Sequence, residues 1–133
     1  MKKGHIGITL VFLIVLSSMS TNAKVALDLN GEWDATFVCS MSGTYKEIIK
    51  ITQNADEFVG IRLSGDKRLS SDAEEIKGKI KGVNISEIKI NSKAGWLNGD
   101  ARVSEGGNRI EIKCELPGGM GTLDTTLLRK RNK

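Results

Sequence analysis

The sequence predicts an all-β domain, an eight-stranded antiparallel up-and-down barrel that follows a signal peptide. Two observations lead to this fold class. Apolar residues recur at every second position in short segments, as Trp33, Ala35 and Phe37 do, which is the pattern of a strand with one buried and one solvated face. Turn-forming residues separate these segments at regular intervals, as in antiparallel barrels and sandwiches.

The first 23 residues have the features of a secretory signal peptide. Lys2 and Lys3 give a basic start, an apolar run extends from Ile6 to Leu16, and a small polar segment ends at Ala23. The alternative, a membrane anchor, needs about 20 apolar residues. We therefore expect cleavage after Ala23, export to the periplasm or the extracellular space, and no stable membrane insertion.

Residues 24–133 are expected to form a single β-barrel domain with a short basic C-terminal tail. Loss of the leader removes His5, the one histidine of the chain. Serine–histidine and cysteine–histidine nucleophile pairs, histidine-liganded metal sites and histidine pH switches are then excluded. No other pattern indicates a metal or a cofactor, and we expect none.

The charge of the mature chain is nearly balanced. Without Lys2 and Lys3 the chain keeps 18 basic and 16 acidic residues, and four of the basic ones lie in the tail: Arg129, Lys130, Arg131 and Lys133. A surface for nucleic acid would need basic residues gathered on one face, so we expect no nucleic-acid partner. The tail itself is interpreted as a solvated terminus, with a contact to a polyanion or a membrane as the alternative.

Each predicted strand follows from its own alternation and its flanking turn residues. The eight strands are placed at 31–38, 44–53, 56–64, 75–81, 84–91, 95–104, 108–115 and 122–130. Strands 2 and 3 are expected to turn inward Ile49, Ile51, Val59, Ile61 and Leu63. Strands 4, 6, 7 and 8 are expected to turn inward Ile76, Ile80, Leu97, Ala101, Val103, Ile110, Ile112, Leu123 and Leu127. Strand 5 is placed by the turns on either side of it.

The predicted connections differ in length between the two ends of the barrel. At the end where strand 1 starts, the bottom, the turns at 54–55, 82–84 and 105–107 are short. The connections at the other end, the top, are mostly longer: 39–43, 65–74, 92–94 and 116–121. Functional residues are commonly carried on loops at one end of a rigid scaffold, so the top is the expected site. Chance variation in loop length is the alternative.

The two cysteines are predicted to form a disulfide. Cys39 and Cys114 both occupy positions that the alternation assigns to the inner face, near the top of strands 1 and 7. In an exported protein, two such thiols are most often bonded. Closing a loop of about 75 residues would contribute roughly 4–5 kcal/mol in the chain-entropy model. The alternative, a reactive thiol, has no second cysteine or histidine nearby to tune it.

Residues at the two ends of the mature chain show a family resemblance. Gly31-Glu32-Trp33 opens strand 1, and Arg129 closes strand 8. This pattern resembles the calycin superfamily of lipocalin-like and avidin-like barrels, in which an Arg or Lys of the last strand packs on the tryptophan of a Gly-x-Trp motif. The resemblance implies a cation–π contact between Arg129 and Trp33 at the barrel floor.

The resemblance extends over the mature chain, and residues 31–60 are similar to the first two hairpins of avidins. The later tryptophans that line a biotin pocket are missing, since only Trp96 follows, and so is the long helix of full-length lipocalins. The resemblance therefore implies the barrel, and it transfers neither biotin binding nor a carrier role.

Candidate binding residues lie near the top. Glu47 is in inward phase on strand 2, where a carboxylate is unfavourable unless it is paired or hydrated. It is interpreted either as the anchor of a polar or cationic ligand group or as a solvated rim residue. Five other residues near the top are candidates for the lip of a pocket or for a protein contact: Met41, Tyr45, Leu69, Trp96 and Met120.

These features favour a non-enzymatic binding protein that takes a small, largely apolar ligand at the top. Eight strands enclose just enough space for packed side chains or one small molecule. The alternative is therefore a protein-interaction module with a filled core, such as a hydrolase inhibitor or a secreted host-interaction factor, with a protein partner at the same loops. The acidic residues fall largely on outward phases or in loops, so an enzyme is not expected.

Overall fold

A computed structural model describes residues 26–131, which form a closed barrel of eight antiparallel strands. Each strand pairs with its neighbours in sequence, and β8 closes the barrel against β1. The strands are β1 (Gly31–Cys39), β2 (Gly43–Asn54), β3 (Glu57–Gly65), β4 (Glu74–Lys81), β5 (Asn84–Ser92), β6 (Gly95–Ser104), β7 (Arg109–Glu115) and β8 (Thr122–Arg129).

The predicted all-β up-and-down barrel is confirmed. Every strand end lies within one residue of its predicted position, and the connections at the top and bottom fall where the turn residues placed them. The predicted signal peptide, residues 1–23, lies outside the described residues. Within residues 26–131, the structure contains no helix long and apolar enough to cross a membrane.

One strand turns the opposite way from the sequence prediction. The predicted inward residues of β3 were Val59, Ile61 and Leu63, but Ile61 is 45% and Leu63 is 50% exposed on the outer surface. Phe58 and Gly60 take the inward positions instead. The alternation in β3 was read correctly as a strand, but its phase was wrong.

The packing of Phe58 explains this orientation. A Cβ atom added to Gly78 on β4 would stand 2.8 Å from the ring of Phe58, so the ring occupies the space that the glycine leaves open. The register of β3 also shifts between Gly60 and Ile61 where it pairs with β4. Both faces of β3 carry apolar residues. Burial of the aromatic ring of Phe58 removes more apolar surface from water than burial of the smaller Val59, and so contributes more free energy to folding.

The bottom of the barrel is closed by the segment before β1. Leu29 is fully buried and Leu27 nearly so. The indole Nε1 of Trp33 donates a hydrogen bond of 3.0 Å to the carbonyl of Leu29, and the backbone N–H of Leu29 donates to Oε1 of Gln53 at 2.8 Å. Residues 27–29 thus cover the floor of the core.

Arg129 completes this floor. Its guanidinium carbon lies 4.4 Å from the ring centroid of Trp33, which is the arrangement that the resemblance implies. Its nitrogens also donate to the carbonyls of Asp28, Asn30 and Gly107 and to Oδ1 of Asn108, at 2.7–3.2 Å. The arginine therefore ties the N-terminal segment and the β6–β7 connection to the last strand.

Candidate functional site

A cavity of about 210 Å³ opens at the top of the barrel. Its wall comes from the β1–β2 hairpin, the β3–β4 connection, the β5–β6 turn and the β7–β8 region. The lining residues are Cys39, Met41, Ser42, Tyr45, Arg68, Ser92, Lys93, Ala94, Leu116 and Leu123. The cavity is smaller than the 300–1,000 Å³ that is usual for drug-sized ligands. It suits a small molecule.

The β3–β4 connection, residues 66–73, folds over this end of the barrel. Gly65 takes a φ of +96°, and a Cβ atom there would overlap the backbone of Lys46 and Glu47, so the tight approach needs glycine. Asp66 then fixes the turn, because its N–H donates to the carbonyl of Lys46 at 2.8 Å and its carboxylate accepts from the N–H of Lys46 at 2.8 Å.

This connection places Arg68 in the interior. The side chain is 6% exposed, and its guanidinium carbon lies 4.1 Å from the ring centroid of Phe37 on β1. Nη1 donates to the carbonyl of Asn91 at 2.6 Å, and Nη2 pairs with Oε1 of Glu75 at 3.1 Å. Arg68 therefore separates the aliphatic core from the cavity above it.

Glu47 and Glu75 lie with Arg68 below the cavity, and each carboxylate is 3% exposed. Burial, together with the adjacent carboxyl of Glu75, raises the pKa of Glu47 to about 8, while Arg68 acts in the opposite direction. The oxygens of Glu47 complete no hydrogen bond of good geometry within residues 26–131, although the carboxyl of Glu75 and the backbone N–H of Arg68 are close enough to affect its pKa. At pH 7 Glu47 is therefore mostly protonated beside the Arg68–Glu75 ion pair.

The structure brings some of the candidate residues to the cavity. Met41 and Tyr45 line it. Glu47 points inward as expected, but it lies beneath Arg68 and is not part of the wall. The charged residue that links the cavity wall to the buried carboxyl groups is Arg68, and neither Glu47 nor Glu75 lines the wall.

Two candidates lie elsewhere. Trp96 is on the outer surface, because its neighbour Leu97 takes the inward position, and Lys77 lies 4.1 Å from the indole centroid there. Met120 is exposed in the β7–β8 connection and does not line the cavity. Of the predicted lip residues, Met41 and Tyr45 therefore line the cavity, whereas Trp96 and Met120 do not.

The predicted disulfide between Cys39 and Cys114 is absent, and both residues are free thiols. They do share a face and an end of the barrel, but Leu123 on β8 pairs with Cys39 on one side and with Cys114 on the other. Two strand spacings separate their Cα atoms by roughly 9–10 Å. That distance exceeds the limit of about 7 Å for a disulfide without backbone movement.

The two thiols differ in environment. A hydrogen bond with the Ser42 side chain lowers the pKa of Cys39, which lines the cavity and is half-buried. Burial raises the pKa of Cys114 to about 11, and the charges of Asp124 and Asp100 act in the same direction. Cys39 is therefore the more readily ionised and the more accessible thiol.

Sequence reasoning missed Arg68, the most informative residue of the site. It lies in a connection without periodicity, so no alternation assigned it to a face. Its neighbour Leu69 was a usable signal, since an aliphatic residue within a polar connection indicates that the connection folds back onto the barrel. Leu69 is buried in the structure.

Comparison with known proteins supports the architecture alone. No protein-family model matches the chain, and no curated protein sequence matches it. A solved structure described as a redesigned β-barrel superposes with a TM-score of 0.54, at 15% sequence identity, over 82% of this chain and 100% of that one. At this level of identity the similarity establishes the barrel fold and carries no functional information.

Proposed function

We propose that this protein is an exported, non-enzymatic binding protein that takes a small, largely apolar ligand in the cavity at the top of the barrel. The observation that carries the proposal is the cavity itself, which lies between the four top connections. Its wall is mainly apolar, with Met41, Tyr45, Leu116 and Leu123 among its lining residues. Concave apolar sites with a few polar groups are typical of small-molecule binding.

A binding role also agrees with the chemistry of the wall. Its titratable groups are Cys39, Tyr45, Arg68 and Lys93. The two buried carboxyls, Glu47 and Glu75, lie beneath Arg68 and do not line the cavity. Acid–base catalysis by two carboxyl groups requires that they lie on either side of the substrate's reacting bond. We therefore expect binding without turnover.

The same proposal places the chain among calycin-type barrels and in the exported fraction of the cell. The support for a calycin-type barrel is the packing of Arg129 on Trp33 at the floor, between the first and last strands. The support for export is the basic, apolar and small-residue pattern of residues 1–23.

The second candidate is a protein-interaction module that uses the same loops. The observation in its favour is that Met41 and Met120 are both largely exposed at the top. Flexible thioethers of this kind are common on protein-binding surfaces. Leu69 is buried, however, so it adds nothing to such a surface, and the open cavity favours a small molecule.

Chemical-shift mapping with 1-hexanol and hexanamide tests the proposal. We expect saturable shifts confined to residues 39–45, 92–94 and 116–123. Ala94→Trp, at the exposed rim, should abolish them by filling the cavity. Val83→Trp, an exposed position at the bottom, is the matched control and should leave them unchanged. Shifts that are absent, or that persist in Ala94→Trp, would refute ligand binding at this end.

A further inference from the structure

The guanidinium of Arg68 has unused hydrogen-bonding capacity at the cavity wall. An arginine side chain carries five N–H donors. The structure gives Arg68 one bond from Nη1 to the carbonyl of Asn91 and one from Nη2 to Glu75. Nε is sealed from solvent and has no partner in the described part of the chain, and both oxygens of Glu47 are in the same state. The donors left for a ligand are therefore the remaining N–H groups of Nη1 and Nη2, since buried donors need an acceptor.

The charges around the cavity are suited to an anion. Among residues 26–131, Arg68 and Lys93 are the charged side chains of the wall, and no Asp or Glu lines it. Arg68 is neutralised by Glu75, and the protonated Glu47 adds no charge. An incoming anion therefore meets the ammonium group of Lys93 and the N–H donors of Arg68, with no Asp or Glu in the wall to repel it. A cation would find no negatively charged side chain in the wall to pair with.

The rest of the wall limits what can accompany the anionic group. Met41, Tyr45, Leu116 and Leu123 offer apolar surface, and the volume of about 210 Å³ leaves room for only a short chain. A ligand that matches all of these features has one small anionic end and one short apolar end. A carboxylate fits the guanidinium best, because its two oxygens match paired N–H donors in one plane.

We propose that the ligand is a small monocarboxylate with a short aliphatic or aromatic tail. Its carboxylate accepts hydrogen bonds from Arg68, with Lys93 adding charge at the rim, and its tail contacts Met41, Tyr45 and Leu116. This inference rests on the proposed function, since it assigns a ligand class to the same cavity.

Three probes of nearly equal size separate the inference from the proposed function. Hexanoate, hexanamide and hexylamine share a chain and differ in charge, and calorimetric or chemical-shift titration gives their affinities at pH 7 in low salt. We expect hexanoate to bind at least tenfold more tightly than hexanamide, with hexylamine the weakest, and the preference to shrink as salt is added.

Lys93→Ala is the first variant, because Lys93 is exposed and its loss should not disturb the fold. It should weaken hexanoate severalfold and leave hexanamide unchanged, while Lys81→Ala, an exposed site at the opposite end of the barrel, should change neither. The double variant Arg68→Met with Glu75→Met removes the ion pair without leaving one buried charge, and should abolish the preference for hexanoate. If that variant does not fold, the probe series and Lys93→Ala still decide the matter.

Two results would overturn the inference. Equal affinity for the three probes would show that the cavity binds small apolar molecules without selecting a carboxylate, and the proposed function would stand. Tightest binding of hexylamine would likewise exclude an anion-selective site. Binding of none of the probes would remove the proposed function as well.

Discussion

Arg68 and Glu75 form a buried ion pair, with Nη2 of the arginine 3.1 Å from Oε1 of the glutamate, at the top of a barrel core that is otherwise mostly apolar. Removing one partner of such a pair leaves an uncompensated charge in a poorly solvated place. Because Glu47 could ionise beside Arg68 once Glu75 is gone, the test is made in a Glu47→Gln background. There we expect Glu75→Gln to lower the free energy of unfolding by about 3–5 kcal/mol. Urea denaturation at pH 7 measures this loss. Glu74→Gln, on the exposed neighbouring residue, serves as the control.

Glu47 should make stability fall as the pH rises. Its pKa is about 8 in the folded protein, facing Glu75 and Arg68, against an ordinary value of 4.5. The folded state therefore holds this proton more tightly than the unfolded state, and stability falls between about pH 4.5 and 8 as the proton is lost from the unfolded chain first. Glu47→Gln lacks this pH dependence. Its free energy of unfolding should therefore increase relative to that of the wild type as the pH rises through that range. Parallel stability curves for the two proteins from pH 5 to 9 would contradict a buried, protonated Glu47.

Arg129 should stabilise the floor of the barrel. Its loss removes the contact with Trp33 and the hydrogen bonds to the carbonyls of Asp28, Asn30 and Gly107. We expect Arg129→Ala to reduce stability by about 1 kcal/mol or more. Arg131→Ala, an exposed basic residue of the tail, controls for charge and should have little effect. An unchanged denaturation midpoint in Arg129→Ala would show that the floor does not depend on this contact.

The two thiols should react at different rates. Cys39 lines the cavity and has a lowered pKa, while Cys114 is buried with a pKa of about 11. The thiolate is the reactive form, so iodoacetamide at pH 8 should modify Cys39 at least tenfold faster. Peptide mass mapping after short exposure gives both rates. Equal rates would contradict the difference between the two thiols. A mass two units below that of the dithiol chain, which returns to the dithiol mass on reduction, would restore the disulfide that the sequence predicts.

The orientation of β3 can be tested on two residues of that strand. Phe58 is almost completely buried, and Ile61 is 45% exposed. Phe58→Ala should cost about 3–5 kcal/mol. Ile61→Ala should cost well under about 1.5 kcal/mol, since the side chain is already half in solvent. Thermal or urea denaturation distinguishes these values, and the opposite order would support the phase inferred from the sequence.

The barrel was predictable because its determinants are local. Alternation with a period of two and turn residues at regular spacing place each strand, and all eight strands appear within one residue of their expected ends. The site was only partly predictable. Met41 and Tyr45 reach the cavity because they belong to the first hairpin, whose phase was read correctly from Trp33, Ala35 and Phe37.

The errors have different physical sources, and one of them is that alternation defines two faces of a strand without saying which one is buried. In β3 both faces are apolar, and the space beside Gly78 decided in favour of Phe58. In β6 Leu97 points inward as predicted, so its neighbour Trp96 lies on the outer surface and not at the lip of the cavity. Cys39 and Cys114 lie on the predicted face and at the predicted end of the barrel, but β8 lies between their strands.

By itself the sequence determined the strand order, the strand bounds and the end of the barrel that carries the longer connections, since each depends on residues close together in the chain. Tertiary structure alone decided that Arg68 enters the interior, pairs with Glu75 and faces the cavity. A side chain in a connection without periodicity has no face until the rest of the fold surrounds it, and its charge acquires a role only from the groups packed against it.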